Sequence, residues 1–563
     1  MLRNPHEGYH SAFLDLVFLL FTIAACFRPR AADGVFRRIE NLGARFAARK
    51  RLAVLGIAAA AIVVRLSLLG VDPVPAPQVH DEFSYLLAGD TFAHGRLANP
   101  PHAMWIFFET FHVNQHPTYA SKYPPGQGAA LALGELLGHP WIGVLLSVAA
   151  MCAAILWMLQ GWLPARWALL GASLVFLRFG LFNYWVDGYW GGAVAATGGA
   201  LVMGALPRIA RRQRPRDALL LGAGAVILAN SRPFEGLLLF LTVAVFLAAW
   251  LLRARSPSWR ITLPRVVLPI CAALALGAAF MGYYNWRVTG NALLFPFTLN
   301  TRTYLTTPLF IWERPQPPLH YSNPQFEDFY NDWARDDLNE SFGKGPRRTA
   351  GELAREVWYF LSSYPGSGLF VPLLALPGIM RDPRMRFPLA QIVLCLAGSL
   401  TVVYFWPHYI APLTGTVFLM VTQGMRHVRC WRWSGRPVGV GVTRLVVLFA
   451  AATIPFRAIE ATRDPGTLVL FPSSVQDRAR IVKQLESLPG QHLVIVRYFD
   501  EHNPHEEWVY NAADIDHAKI VWAREIPDQD IGPLLEYFRG RKVWLIEPDE
   551  SPPRLQPYAP PTE

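Results

Sequence analysis

Cysteine is scarce, with five residues in 563: Cys26, Cys152, Cys271, Cys395 and Cys430. Four lie in or beside apolar runs, Cys430 lies in a basic loop, and no CxxC occurs. That pattern argues against a disulfide framework and a cysteine-held metal. Charge is sparse as well. Asp, Glu, Lys and Arg make up 17% of the chain against 52% hydrophobic residues, where an ordinary soluble domain carries about 25% charged residues. There is no GxGxxG after a strand and no GxxxxGK[ST], so no nucleotide site is predicted. No fixed-period repeat occurs. The first apolar run has neither a basic lead-in nor a small-residue cleavage site, so no cleavable signal is expected.

What the chain has is long apolar runs. They lie at 11–27, 52–70, 140–160, 167–182, 190–206, 218–230, 237–252, 266–284, 366–380, 387–404, 411–424 and 442–457. A bilayer core is crossed by about 20 apolar residues in a helix. The expected fold class is a polytopic α-helical membrane protein of about twelve transmembrane helices. The net charge of +11 gathers in short connectors: 28–51, 207–217 (PRIARRQRPRD), 253–265, RDPRMRF and RHVRCWRWSGR. Positive loops mark the cytoplasmic side of an inner, plasma membrane, and they make a nucleic-acid partner unnecessary. Every basic connector then falls inside. The loops 71–139 and 285–355 fall outside, as does everything after 457.

Three regions follow: 1–50, an apolar helix and a basic cytoplasmic segment; 51–457, the transmembrane body; and 458–563, where apolar runs stop. In the last region 475–488 and 528–540 read as helices, and 492–498, 518–525 and 541–548 as strands. That predicts a small extracytoplasmic α/β domain, ending in a flexible Pro-rich tail.

The loop from Val79 to Gln127 concentrates the chemistry. His80, Asp81 and Glu82 open it. Adjacent carboxylates repel, so one holds its proton more tightly, and a partly desolvated carboxylate suits a general base. Asp81 equally suits the N-cap of a following helix. Tyr85 follows on that helix. Glu109, His112 and His116 would share a helical face, which admits a divalent metal as a cofactor or hydrogen bonds to substrate. Lys122 and Tyr123, before Pro124 and Pro125, are held at the interface, where a phosphate or simple snorkelling fits the lysine.

Ionisable residues inside apolar runs (Asp15, Arg65, Arg178, Asp187 and Arg232) are functional candidates because burying charge in a bilayer is costly. Arg178, Asp187 and Tyr189 in FLRFGLFNYWVDGYWGG, Arg232 in ANSRPFEG, and His408 and Tyr409 in YFWPHYIAP reach the outer level by this topology. Interfacial anchoring explains the same residues in structural terms. Carboxylates, cations and aromatic faces without a nucleotide site suit transfer of a sugar from a polyprenyl-phosphate donor, whose phosphate is a workable leaving group. The alternatives are a transporter or flippase for a lipid-linked or polar solute, and a scaffold. A transporter predicts inverted repeats and broken helices at the midplane.

HDEFSYLLA after an in-to-out span, and KYPPG before the next helix, resemble the GT-C superfamily of membrane glycosyltransferases. The likeness is to family 39, the protein O-mannosyltransferase, lipid A aminoarabinose transferase and RgtA/B/C/D-like group. It covers about 50–425. It implies a GT-C-like fold with Asp81 and Glu82 on the catalytic acidic pair, and Lys122, Pro124 and Pro125 on the second motif. It also implies a polyprenyl-phosphate sugar donor, an acceptor hydroxyl on a glycan, lipid or protein, and inversion at the anomeric carbon. The first span and the C-terminal α/β unit depart from that pattern.

Overall fold

The computed structural model describes residues 18, 20–23, 25–253, 258–343, 346–463 and 474–559. Most of the expected first helix, Asp15 with it, lies outside the described residues, as do 254–257 of one basic connector.

The chain is mostly helical. Among the described residues, five helices are long and apolar enough to cross a membrane: Pro140–Trp162, Ala193–Arg212, Pro233–Leu252, Trp259–Thr289 and Val438–Ile459. The other expected spans are shorter helices, among them Lys50–Ser67, Ala165–Phe179, Pro215–Ala229, Pro383–Ser399 and Thr414–Val428. The run at 366–380 is not one helix. Pro372 and Pro377 fall within it, and it divides into Gly366–Leu369, Val371–Ala375 and Leu376–Arg381, because proline removes a helical donor and clashes with the preceding turn. Proline begins several helices instead, at Pro140, Pro215 and Pro233, where its missing N–H costs nothing.

Small residues let these helices approach closely. A Cβ on Gly224 would lie 2.6 Å from the Gly198 carbonyl oxygen, so Ala193–Arg212 and Pro215–Ala229 touch backbone to backbone, as small residues allow in membranes. Pro140–Trp162 defines the two ends of the bundle. At one end Trp141 Nε1 donates to Val186 O at 2.8 Å. At the other, Arg211 donates to Gly161 O at 2.6 Å and Gln160 to Lys50 O at 3.1 Å. Twenty residues of helix separate them by about 30 Å. The second end collects basic connectors. Arg429 and Arg444 there reach back to Glu40 (2.9 and 3.1 Å) on the Asp33–Ala48 helix.

The first end carries the long loops. Helices His80–Ala93 and Pro125–Leu136 flank a short hairpin, β1 (Val113–Asn114) and β2 (Ala120–Ser121). The last part of the chain forms a four-stranded sheet in the order β4 (Ile520–Arg524), β3 (His492–Val496), β5 (Lys542–Ile546), β6 (Gln556–Pro557). β3 is parallel to both β4 and β5, and β6 is antiparallel to β5. The tail is therefore not free at Gln556–Pro557. Proline suits an edge strand because the edge leaves one side of its backbone unpaired. Side chains alternate across β3. Val494 and Val496 pack with Ile481, Leu485 and Trp508. Leu493 and Ile495 pack with Leu534 and Phe538, and in the same core with Leu87, Phe107, Phe108 and Val113 of the first loop.

Candidate active site

The site is built around the first turn of the His80–Ala93 helix. Glu82, not Asp81, is the capping residue. Its Oε2 accepts from the Gln78 and Val79 amides at 2.6 and 3.2 Å, and its Oε1 from the Tyr189 amide at 2.7 Å. The N-cap position itself is Val79. Three donated hydrogen bonds hold Glu82 inside the fold at 2% exposure. Burial, opposed by those bonds and assisted by Asp81, pushes its carboxyl up to about 7. One residue earlier, about 100° round the helix, Asp81 faces a large cavity.

Ser84 accepts the hairpin into place. Its hydroxyl donates to His112 O at 2.7 Å and lies 2.7 Å from Ser121 Oγ. His112, in the left-handed region at φ 64°, turns its ring to the same cavity. Tyr123 donates its hydroxyl proton to Asp81 Oδ1 and lies 3.1 Å from His112 Nδ1. That nitrogen is 3.7 Å from Asp81 Oδ2. Burial, with help from Lys122, holds the His112 imidazole well below its usual range. His80, whose imidazole burial also holds well below its usual range, sets its ring 4.3 Å from that of Phe111 and bonds Pro504 O at 2.9 Å.

The KYPPG turn meets the next wall through its glycine. Gly126 N–H donates to Asn230 O at 2.7 Å, and a Cβ on Gly126 would lie 2.6 Å from that oxygen. This contact brings Lys122 to the segment carrying Arg232. Lys122 Nζ lies 5.3 and 5.2 Å from the Tyr123 and Phe297 ring centres, and the Arg232 guanidinium 4.5 Å from that of Tyr409. Burial draws the Lys122 ammonium down to about 8, with Asp81 acting against it.

The cavity measures about 1930 Å³ and takes in His80, Asp81, Tyr85, His112, Lys122, Tyr123, Arg178, Arg232 and Tyr409. One wall is apolar, with Leu174, Leu177, Leu181 and Phe449 beside Arg178 and Arg457. Arg178 is fixed by the carbonyls of Ser362 and Ser363 at 2.7 and 2.9 Å.

The remaining sequence candidates do not line the cavity. Asp187 pairs with buried Arg65 at 3.0 Å, and Asp72 joins them at 3.2 Å. The Tyr189 hydroxyl donates to Pro75 O at 2.9 Å. His408 is buried 3.3 Å from the Tyr184 hydroxyl. Glu109 accepts from Tyr304 at 2.9 Å, and His116 is exposed, its ring 4.8 Å from that of Trp105. Glu109, His112 and His116 share no helical face, because the chain runs here through a turn and a hairpin. Among the described residues the group with ligand atoms near enough for one metal ion is instead Asp90, His94 and Glu135.

Sequence reasoning missed Phe329, Tyr330, Trp333, Asp337, Glu352, Glu356 and His505, all of which line the cavity. The aromatic and acidic density of FEDFYNDWARDD was the available signal for the first four. His505 carried none.

No family model matches the chain, and no curated protein matches it. Among solved structures it is similar to ArnT from Cupriavidus metallidurans bound to undecaprenyl phosphate, at 13% identity and a TM-score of 0.49, covering 88% of this chain and 92% of that one. It is also similar to the Archaeoglobus fulgidus oligosaccharyltransferase tethered to an acceptor peptide, at 10% identity and a TM-score of 0.44, covering 83% of this chain and 63% of that one.

Proposed function

We propose that the chain is a multi-pass membrane glycosyltransferase of the GT-C kind. It moves a sugar from a polyprenyl-phosphate donor to an acceptor hydroxyl at the extracytoplasmic face. The observation that carries this reading is the convergence of Asp81, Lys122 and Arg232 on one large cavity with an apolar wall. An acid alone would suit many roles. A carboxylate facing two cations, in a space that can also take a lipid chain, suits displacement of a lipid phosphate.

The acceptor hydroxyl gives its proton to Asp81, and its oxygen bonds the anomeric carbon. The bond from that carbon to the phosphate oxygen breaks, and the electron pair leaves with the phosphate. Lys122 and Arg232 meet the charge that develops there, the largest kind of contribution a preorganised site makes. Attack opposite the leaving group inverts the anomeric centre. Tyr123 and His112 orient the base, and Glu82 holds the helix turn that presents it. The apolar wall beside Arg178 takes the prenyl chain.

The test is transfer by the purified full chain from a panel of radiolabelled polyprenyl-phosphate sugars, beside glycan and lipid profiles of cells lacking the protein. The expected result is one glycoconjugate that loses a sugar in the cells and a labelled product with wild type but not Asp81→Asn. No transfer from any donor, with unchanged profiles, overturns the reading.

A further inference from the structure

The cavity is electrically divided. Near Asp81 its charged walls are the cations Lys122 and Arg232, with Glu235 beside Arg232. A second stretch of wall, on the Ala334–Ser341 and Pro346–Ser363 helices, carries Asp337, Glu352 and Glu356 against one cation, Arg355. Glu352 and Glu356 stand at i and i+4, so both face the same side of their helix. Glu352 pairs with Arg355. Glu356 is 6% exposed, lines the cavity, and its Oε2 has no hydrogen-bond partner among the described residues. An unpartnered buried carboxylate oxygen is costly to leave unmet, and Glu356 is one of the residues that line the cavity.

Two alternatives fit less well. The three carboxylates do not bring their oxygens within 4.8 Å of one another as a set, so they do not make a cage for a single metal ion. A structural ion pair would use Arg355, which is already taken by Glu352. What remains is an extended acidic wall in a cavity that Trp333, Trp358 and Tyr404 also line. Aromatic faces and carboxylates together recognise an organic cation.

We propose that this acidic, aromatic wall is a subsite for a protonated primary amine carried by the acceptor, on a glycan or on a lipid headgroup. The assignment of the amine to the acceptor rests on the transferase reading, in which the donor phosphate sits with Lys122 and Arg232. The binding chemistry itself does not.

Scintillation-proximity binding of tritiated glucosamine to the full-length protein in nanodiscs tests it. Displacement by glucosamine and by phosphoethanolamine separates the two sources, and N-acetylglucosamine and N-acetylphosphoethanolamine are their charge-free-nitrogen controls. The expected result is saturable binding, displaced at least tenfold better by an amine than by its acetylated form. Glu356→Gln and Asp337→Asn should each weaken binding about tenfold while the protein stays monodisperse, and Glu352→Gln provides a third, more accessible position if either is poorly folded. No saturable binding, equal displacement by acetylated forms, or unchanged binding in all three variants overturns the proposal. Binding without any sugar transfer would remove the transferase reading and leave the amine subsite. Transfer without amine binding would do the reverse.

Discussion

Glu82 offers a prediction that separates the two neighbouring carboxylates. It is fully enclosed, and its carboxyl is raised from the usual 4.5 to about 7, chiefly by burial. At about 1.4 kcal/mol per pH unit, that gap is on the order of 3 kcal/mol. The sign follows from proton counting. Between pH 4.5 and 7 the folded protein keeps a proton that the unfolded chain has released, so raising the pH through this window removes stability. Below the window the cost is absent, and above it the cost is complete. Glu82→Gln has no such titration. Its amide has one oxygen, so it can accept from the Gln78 and Val79 amides or from the Tyr189 amide, but not both. One side then faces an NH2 group, which costs about 1–3 kcal/mol. The variant should be less stable than wild type at pH 5 and about equal at pH 8. Thermal unfolding followed by tryptophan fluorescence, in detergent at steps between pH 4.5 and 8, reads this directly. Transfer by the variant should stay within about tenfold of wild type, since general-base catalysis itself is worth about 10²–10⁴-fold. Parallel stability curves would refute the buried titration, and loss of transfer in a stably folded protein would return Glu82 to the chemistry.

Further predictions concern the other groups. Asp81→Asn should lower kcat by about 10²–10⁴-fold with donor binding retained, measured by single-turnover transfer and donor binding side by side. Lys122, drawn down to about 8, loses its charge above that pH, so the donor KM should rise there, and Lys122→Arg should move the rise to higher pH. Arg65→Met leaves Asp187 and Asp72 buried without their cation, which should destabilise by about 3–5 kcal/mol in denaturant unfolding. Adding Asp187→Leu should recover part of that loss.

The helical class and the clustering of ionisable residues in the Val79–Gln127 loop were legible because both are local. Apolar runs announce helices by length, and charge beside such runs is rare enough to be informative. The different surroundings of Asp81, which lines the cavity, and Glu82, which is buried, were not legible. They depend on about 100° of helix rotation and on the Tyr189 amide, 107 residues away. Asp187 and Glu109 misled for a related reason. Their partners, Arg65 and Tyr304, lie 122 and 195 residues away, and a buried charge looks the same in sequence whether it meets a substrate or an arginine. Lys122 and Arg232 were each visible, but their meeting depends on one glycine against the Asn230 carbonyl.

The shared core of β3 and the first loop sets an order of events during synthesis. Leu87, Phe107, Phe108 and Val113 emerge early, while Leu493 and Ile495 are made about 380 residues later. Contacts this distant along the chain form late because a long loop must close first. The loop that presents Asp81 therefore waits, half-covered, until nearly the whole chain has been made. A chain that stops short of His492 leaves that apolar face bare, a surface for chaperones and proteases to act on.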